Sequence, residues 1–186
     1  MSSSHVIRFL RNHCCDIRGR SLIELQTLSD KKIERSKDVI PWLFPTDLTC
    51  REYTLAPVLD SLDIFTMKCD SKIQSNIEIS LKRMVNFYES NDFWITQKNH
   101  NFMRIARILR CLWLADMKHD YASLQRALDE VFIQNTEIVG EDMYMFWKYA
   151  NDTEFVKEYD LPPPVKRIQM ETNLIEADQD IMMLGI

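Results

Sequence analysis

The sequence predicts an all-α fold: a single compact bundle of about seven helices, followed by a proline spacer and a C-terminal tail. Three observations lead there. Turn residues are scarce, with only 3 Gly and 6 Pro in 186 residues, too few for the tight turns of a sandwich or barrel. Apolar residues recur at helical spacing, most clearly Ile73, Ile77, Leu81, Met84, Val85 and Tyr88. Helix-start residues stand ahead of these runs, as in Ser21-Leu22-Ile23-Glu24, Ser29-Asp30 and Asp70-Ser71.

Val6, Ile7, Phe9 and Leu10 suggest a short helix or docked arm, and Asp16 to Arg20 a turn in which Gly19 is free to take positive φ. Ser21 with Glu24 forms a capping box. A helix from Ser29-Asp30 is expected to run toward Val39 and stop at Pro41. Residues 45–57, with Pro45 and Pro57, form a loop, and Leu59 to Asp70 a short helix. Asp70-Ser71 opens the clearest helix, which Asn91-Asp92 breaks. Helices follow from about Lys98 to Ala115, with Ile105, Ile108, Leu109 and Leu112 inward, and from Asp120 through Phe132. Gly140 precedes another, Met143 to Ala150. Leu161-Pro162-Pro163-Pro164 reads as a stiff polyproline spacer. The division is therefore 1–160 for the helical domain and 161–186 for spacer and acidic tail. Composition leaves open whether that tail folds back over the domain or serves as a partner or secretion tag.

Composition narrows the class. With 46% apolar and 27% charged residues the chain is an ordinary globular protein, long enough to bury a core without staples. A net charge of -5 gives no overall pull toward nucleic acid. The 5 cysteines are an odd set without a C-x-x-C pair, and no secretory apolar run follows Met1. Free thiols in a reducing compartment are expected, and no membrane span, so the chain is read as cytoplasmic, with export as an effector the alternative.

Catalytic patterns are missing from the sequence: no Gly-rich phosphate loop, no nucleophile elbow, no H-E-x-x-H helix. The 4 histidines lack metal-ligand spacing, and His13-Cys14-Cys15 point in different directions. No catalytic residue, metal or cofactor is expected. One helix stands apart. His100, Arg104 and Arg107, at i, i+4 and i+7, stack along one stripe that borders the apolar face and continues to Cys111. Arg110 falls further round toward solvent, and Lys98-Asn99 mark the expected N-terminus, where free N–H groups favour an anion. Two readings stay open. Arg104 and Arg107 hold segments together through carboxylates such as Asp38, Glu78 or Asp116, or they line a site for a carboxylate or phosphate. Being nearer the helix N-terminus, Arg104 is expected closer to the ligand and Arg107 closer to the structural role.

Ile40-Pro41-Trp42-Leu43-Phe44-Pro45 and His100-Asn101-Phe102-Met103-Arg104-Ile105-Ala106-Arg107-Ile108-Leu109 resemble two signature stretches of the opioid growth factor receptor family. Asp16 to Leu22, Asp38, Arg83-Met84 and Phe87-Tyr88 fit the same order, so the resemblance covers roughly residues 5–150. Pro41, Phe102, Met103 and Ala106 depart from the family pattern, whereas His100, Asn101, Arg104 and Arg107 match. The resemblance implies a helical domain of the short, single-domain, bacterial type. Animal members are described as intracellular, nucleus-associated receptors for an enkephalin peptide that restrain cell proliferation. It also implies ligand contacts at His100, Asn101, Arg104 and Arg107, with Trp42, Leu43, Phe44 and Pro45 as a structural signature. On size and apolarity alone, Trp42, Leu43 and Phe44 are core anchors.

The expected function is a non-enzymatic interaction domain that recognises an acidic or C-terminal-carboxylate peptide, or another protein, through a basic helix groove. The alternative is an enzyme or nucleotide- or anion-handling protein that uses His100 as acid/base beside Arg104 and Arg107. Nucleic-acid binding is set aside, because three arginines in an acidic chain are too few. Neither the ligand nor the oligomeric state is written in the sequence.

Overall fold

Side-chain caps set where the helices begin. In the computed structural model, which describes residues 4–50 and 53–159, Ser4 Oγ accepts the Ile7 N–H at 3.3 Å and opens α1, His5–Leu10. Ser21 and Glu24 cap each other's backbone N–H at the start of α2, Leu22–Gln26. Asp60 and Asp63 do the same for α5, Ser61–Cys69, and Asp70 takes two N–H groups at the head of α6, Ser71–Glu89. Between them lie α3, Asp30–Arg35, and α4, Val39–Leu43. The chain continues through α7, Asn101–Leu114, α8, Lys118–Gln134, α9, Thr136–Val139, and α10, Glu141–Lys148. Among the described residues no strand forms; the only ladder feature is one parallel bridge between Thr46 and Val58. No described helix is long and apolar enough to cross a membrane.

The described residues hold eleven helices, more than the seven or so expected, and breaks account for several of the extra ones. The helix expected from Ser29 to Val39 is two pieces, because Ser36 takes an extended conformation at φ -91 and ψ 127. Pro41 does not end a helix. It sits in the first turn of α4, where its missing N–H has no intrahelical acceptor to lose. A single-turn α9 is set off from α10 by Gly140, whose φ of 76 only glycine adopts easily. The helix expected from Lys98 begins later, at Asn101, since Lys98 holds a positive φ of 57.

α6 and α7 carry the centre of the core. α6 buries Ile73, Ile77, Leu81, Met84 and Phe87, and α7 buries Phe102, Ile105, Ile108, Leu109 and Leu112. Each such side chain contributes on the order of 1.5–3 kcal/mol relative to exposure. A run of edge-to-face rings, Tyr88, Trp94, Phe102 and Trp147, joins the end of α6 to α10 across α7. Trp147 also donates its indole N–H to Phe102 O at 2.9 Å.

Buried polar groups pin the other side of α6. Gln26 donates to Asn76 O and Ser80 Oγ, and Asn76 Nδ2 donates to Leu10 O, so a carbonyl left over at the end of α1 finds a partner inside the protein. The described chain falls into two units divided between Asn151 and Asp152. In the second, Asp152 caps a short helix α11, Thr153–Tyr159. The proline spacer and the acidic tail expected at 161–186 lie outside the described residues.

Candidate functional site

α7 is apolar enough to be buried on most of its surface, so its basic residues emerge where other elements meet it. The four stripe residues have different fates. At the start of the helix, Asn99 Oδ1 accepts the Asn101 N–H at 2.9 Å, so the terminal donor expected to invite an anion is already satisfied. His100 Nε2 lies 3.2 Å from Glu34 Oε1, and Asn101 Nδ2 donates to Glu34 Oε2 at 3.0 Å. Arg104 Nη1 lies 3.6 Å from that same oxygen and donates to Asn101 Oδ1 at 3.2 Å. Arg104 Nη2 donates to Glu34 O at 3.1 Å and to Ser36 O at 2.7 Å. Those two carbonyls lie at the end of α3, so Arg104 serves as a side-chain cap that ties α3 to α7.

The structure thus brings His100, Asn101 and Arg104 together on one carboxylate. That carboxylate belongs to Glu34. The three partners considered from the sequence are occupied elsewhere: Asp38 with Arg20 and Arg18, Glu78 with Lys82, Asp116 with Lys118. Behind the cluster, the Tyr88 hydroxyl lies 3.5 Å from Asn101 Oδ1, and burial pushes its phenol well above the usual range.

Arg107 stands apart from that group. Its Nε donates to Phe44 O at 3.1 Å, its Nη2 is buried without any acceptor, and the residue as a whole is only partly covered. Burial lowers its pKa, and Cys50, Cys111 and Asp47 pull the other way without reversing the shift. Cys111, one turn further along, is fully buried, and burial pushes its thiol up to about 12. A cationic donor inside the protein without an anion is costly, and such a group calls for an explanation.

Arg110 corrects a second expectation. It does not face solvent: it is 2% exposed and grips Asp47 with both ends of its guanidinium, at 3.0 and 2.7 Å, while Nη1 donates to Ala150 O. The reason is Asp47, which the chain beyond α4 brings to this side of α7. Next to it in the chain, Thr46 O accepts the Leu59 N–H at 2.9 Å.

The second signature stretch meets the first here. Trp42, Leu43, Phe44 and Pro45 are all buried, Trp42 edge-on to Phe9 and His5, and the Phe44 carbonyl is the acceptor that Arg107 uses. Beside Glu34 a shallow groove of about 400 Å³ is lined by Asp30, Lys31, Arg35, Asn91 and Phe93. Sequence reasoning missed Glu34, Asp47 and Arg110 as members of this network. Asp47 and Glu34 lie more than sixty residues from the arginines they meet, and no local spacing pairs them.

Among the described residues no cluster of His, Cys, Asp or Glu could hold a metal ion, and the cysteines are free. In comparisons with known proteins, no family model, no curated protein and no solved structure matches this chain.

Proposed function

We propose that this chain is a non-enzymatic interaction domain that recognises an acidic peptide or a protein through the basic face of α7, as its resemblance to the opioid growth factor receptor family implies. In this reading the helical domain drawn at 1–160 acts in the cytoplasm, and the spacer and acidic tail drawn at 161–186 follow it in the sequence. One observation carries the proposal: Arg107 keeps a buried guanidinium donor that nothing in the described protein accepts. Arg104, His100 and Asn101 hold the platform, and Arg107 supplies the charge that a partner can satisfy.

The test is a comparative pull-down with the intact wild-type chain and an Arg107→Met variant of the same melting temperature. Partners held by wild type, released by added salt and absent from the variant support the reading. An identical set on both baits would defeat it.

A second reading is an enzyme in which His100 acts as acid or base. It draws support from Glu34, which stands where a carboxylate would orient the imidazole. Against it, the Arg104 donors that a charge clamp would need are directed at Glu34 and Ser36.

A further inference from the structure

We infer that the group Arg107 takes from its partner is one carboxylate, carried on an acidic side chain or a chain terminus. The inference rests on the reading of Arg107 as the partner-facing residue and adds the chemical class of what it binds. Charge counting carries it. Around the site the described residues place two guanidinium groups, Arg107 and Arg110, and one carboxylate, Asp47. Arg110 and Asp47 neutralise each other through their two-pronged contact. Cys111, with its thiol pushed up to about 12, stays neutral at pH 7. One positive charge is left over, and it belongs to Arg107.

A monoanion cancels that charge. A phosphate dianion overshoots it and leaves a net negative charge beside Asp47 in a partly dry setting, where an uncompensated ion is expensive. The donor count agrees. Arg107 Nε is committed to Phe44 O, so the fork offers Nη2 alone as its buried donor, which suits one carboxylate oxygen better than the several oxygens of a phosphate. The half-buried Cys50 and the buried Cys111 lie alongside the guanidinium and offer no strong hydrogen-bond acceptor. A carboxylate, less strongly hydrated than a phosphate dianion, enters such a lining more readily.

The experiment uses the full chain at pH 8 and fixed ionic strength, with sodium acetate, sodium phosphate and acetamide as probes and melting temperature as the readout. Acetate is expected to raise the wild-type melting temperature by about 2 °C or more at saturation, with acetamide silent and phosphate weaker. Arg107→Met should abolish the acetate response. If that variant does not fold, the guanidinium signals of ¹⁵N-arginine-labelled wild type give the same answer, one arginine shifting with acetate. Two peptides then identify the source, one neutral with a free C-terminus and one with an internal Glu and an amidated end. Arg107-dependent binding of either supports the inference. A larger response to phosphate than to acetate overturns the carboxylate assignment while leaving the Arg107 site standing. No Arg107-dependent response to any anion overturns both.

Discussion

Arg104 and Arg107 project from neighbouring turns of α7, yet Arg104 Nη2 donates to Ser36 O at 2.7 Å and Glu34 O at 3.1 Å while Arg107 Nη2 has no acceptor. The difference comes from what each turn of the helix meets. The first turn faces the end of α3, where carbonyls are left over and Glu34 adds a carboxylate. The next faces the C-terminal end of α4, where the Phe44 carbonyl accepts from Arg107 Nε. The sequence, by proximity to the N-terminus of α7, placed Arg104 nearer the ligand and Arg107 nearer the structural role, whereas here Arg104 carries the larger share of structural contacts. At that N-terminus Asn99 Oδ1 already accepts the Asn101 N–H.

The Arg110–Asp47 pair tests how firmly the chain around Asp47 is held to α7. With side chains 3% and 17% exposed, the pair is largely desolvated. Arg110→Met should cost about 3–5 kcal/mol because it strands Asp47, and adding Asp47→Asn should recover part of that loss. Urea denaturation of the two single variants and the double variant measures the coupling, and strictly additive losses would deny the interaction.

Acid should loosen the turn at Asp16. Burial alone would raise this carboxyl, but the Arg20 side chain, the backbone N–H groups of Arg20 and Arg18, and the Arg20 charge together hold it below the usual carboxylate range. A depressed folded pKa contributes stability that is complete above the unfolded value, near pH 4, and is lost as pH falls through the folded one. Wild type should therefore melt above Asp16→Asn at neutral pH, with the gap narrowing below about pH 4. A gap constant from pH 6 to pH 3 would show that the contact carries no linkage.

Phe44 carries both a buried ring and the carbonyl that Arg107 uses. Truncating the ring alone, in Phe44→Ala, should cost about 3–5 kcal/mol through the cavity it leaves. A loss under about 1 kcal/mol in equilibrium unfolding would mean that the site collapses freely or that the ring does not pack as described.

Much of the helix pattern was legible in the residues, and the partners were not. The stripe on α6 could be read because Ile73, Ile77, Leu81 and Met84 repeat with the helix and all four are buried. The capping box at Ser21 and Glu24 could be read because both partners are local. The equivalent box at Asp60 escaped because Asp63 stands where a glutamate is usually sought. Pro41 misled because a proline that stops one helix and a proline inside the first turn of another look alike without knowing where the break before it falls. Glu34 and Asp47 were invisible for a deeper reason. Which carboxylate meets which arginine is settled when α3 and the stretch around Asp47 meet α7, and helical spacing says nothing about that step.

The most direct test compares Arg104→Met with Arg107→Met by urea denaturation of the intact chain. Arg104→Met should lose about 3 kcal/mol, because it leaves the Glu34 and Ser36 carbonyls without their donor and the Glu34 carboxylate without one cation. Arg107→Met removes a largely buried charge whose one acceptor among the described residues is a carbonyl, so it should unfold within about 1 kcal/mol of wild type or be slightly more stable. That ordering is the result the account requires. A larger loss for Arg107→Met than for Arg104→Met would contradict it, making Arg107 the structural residue and leaving the proposed site without its charge.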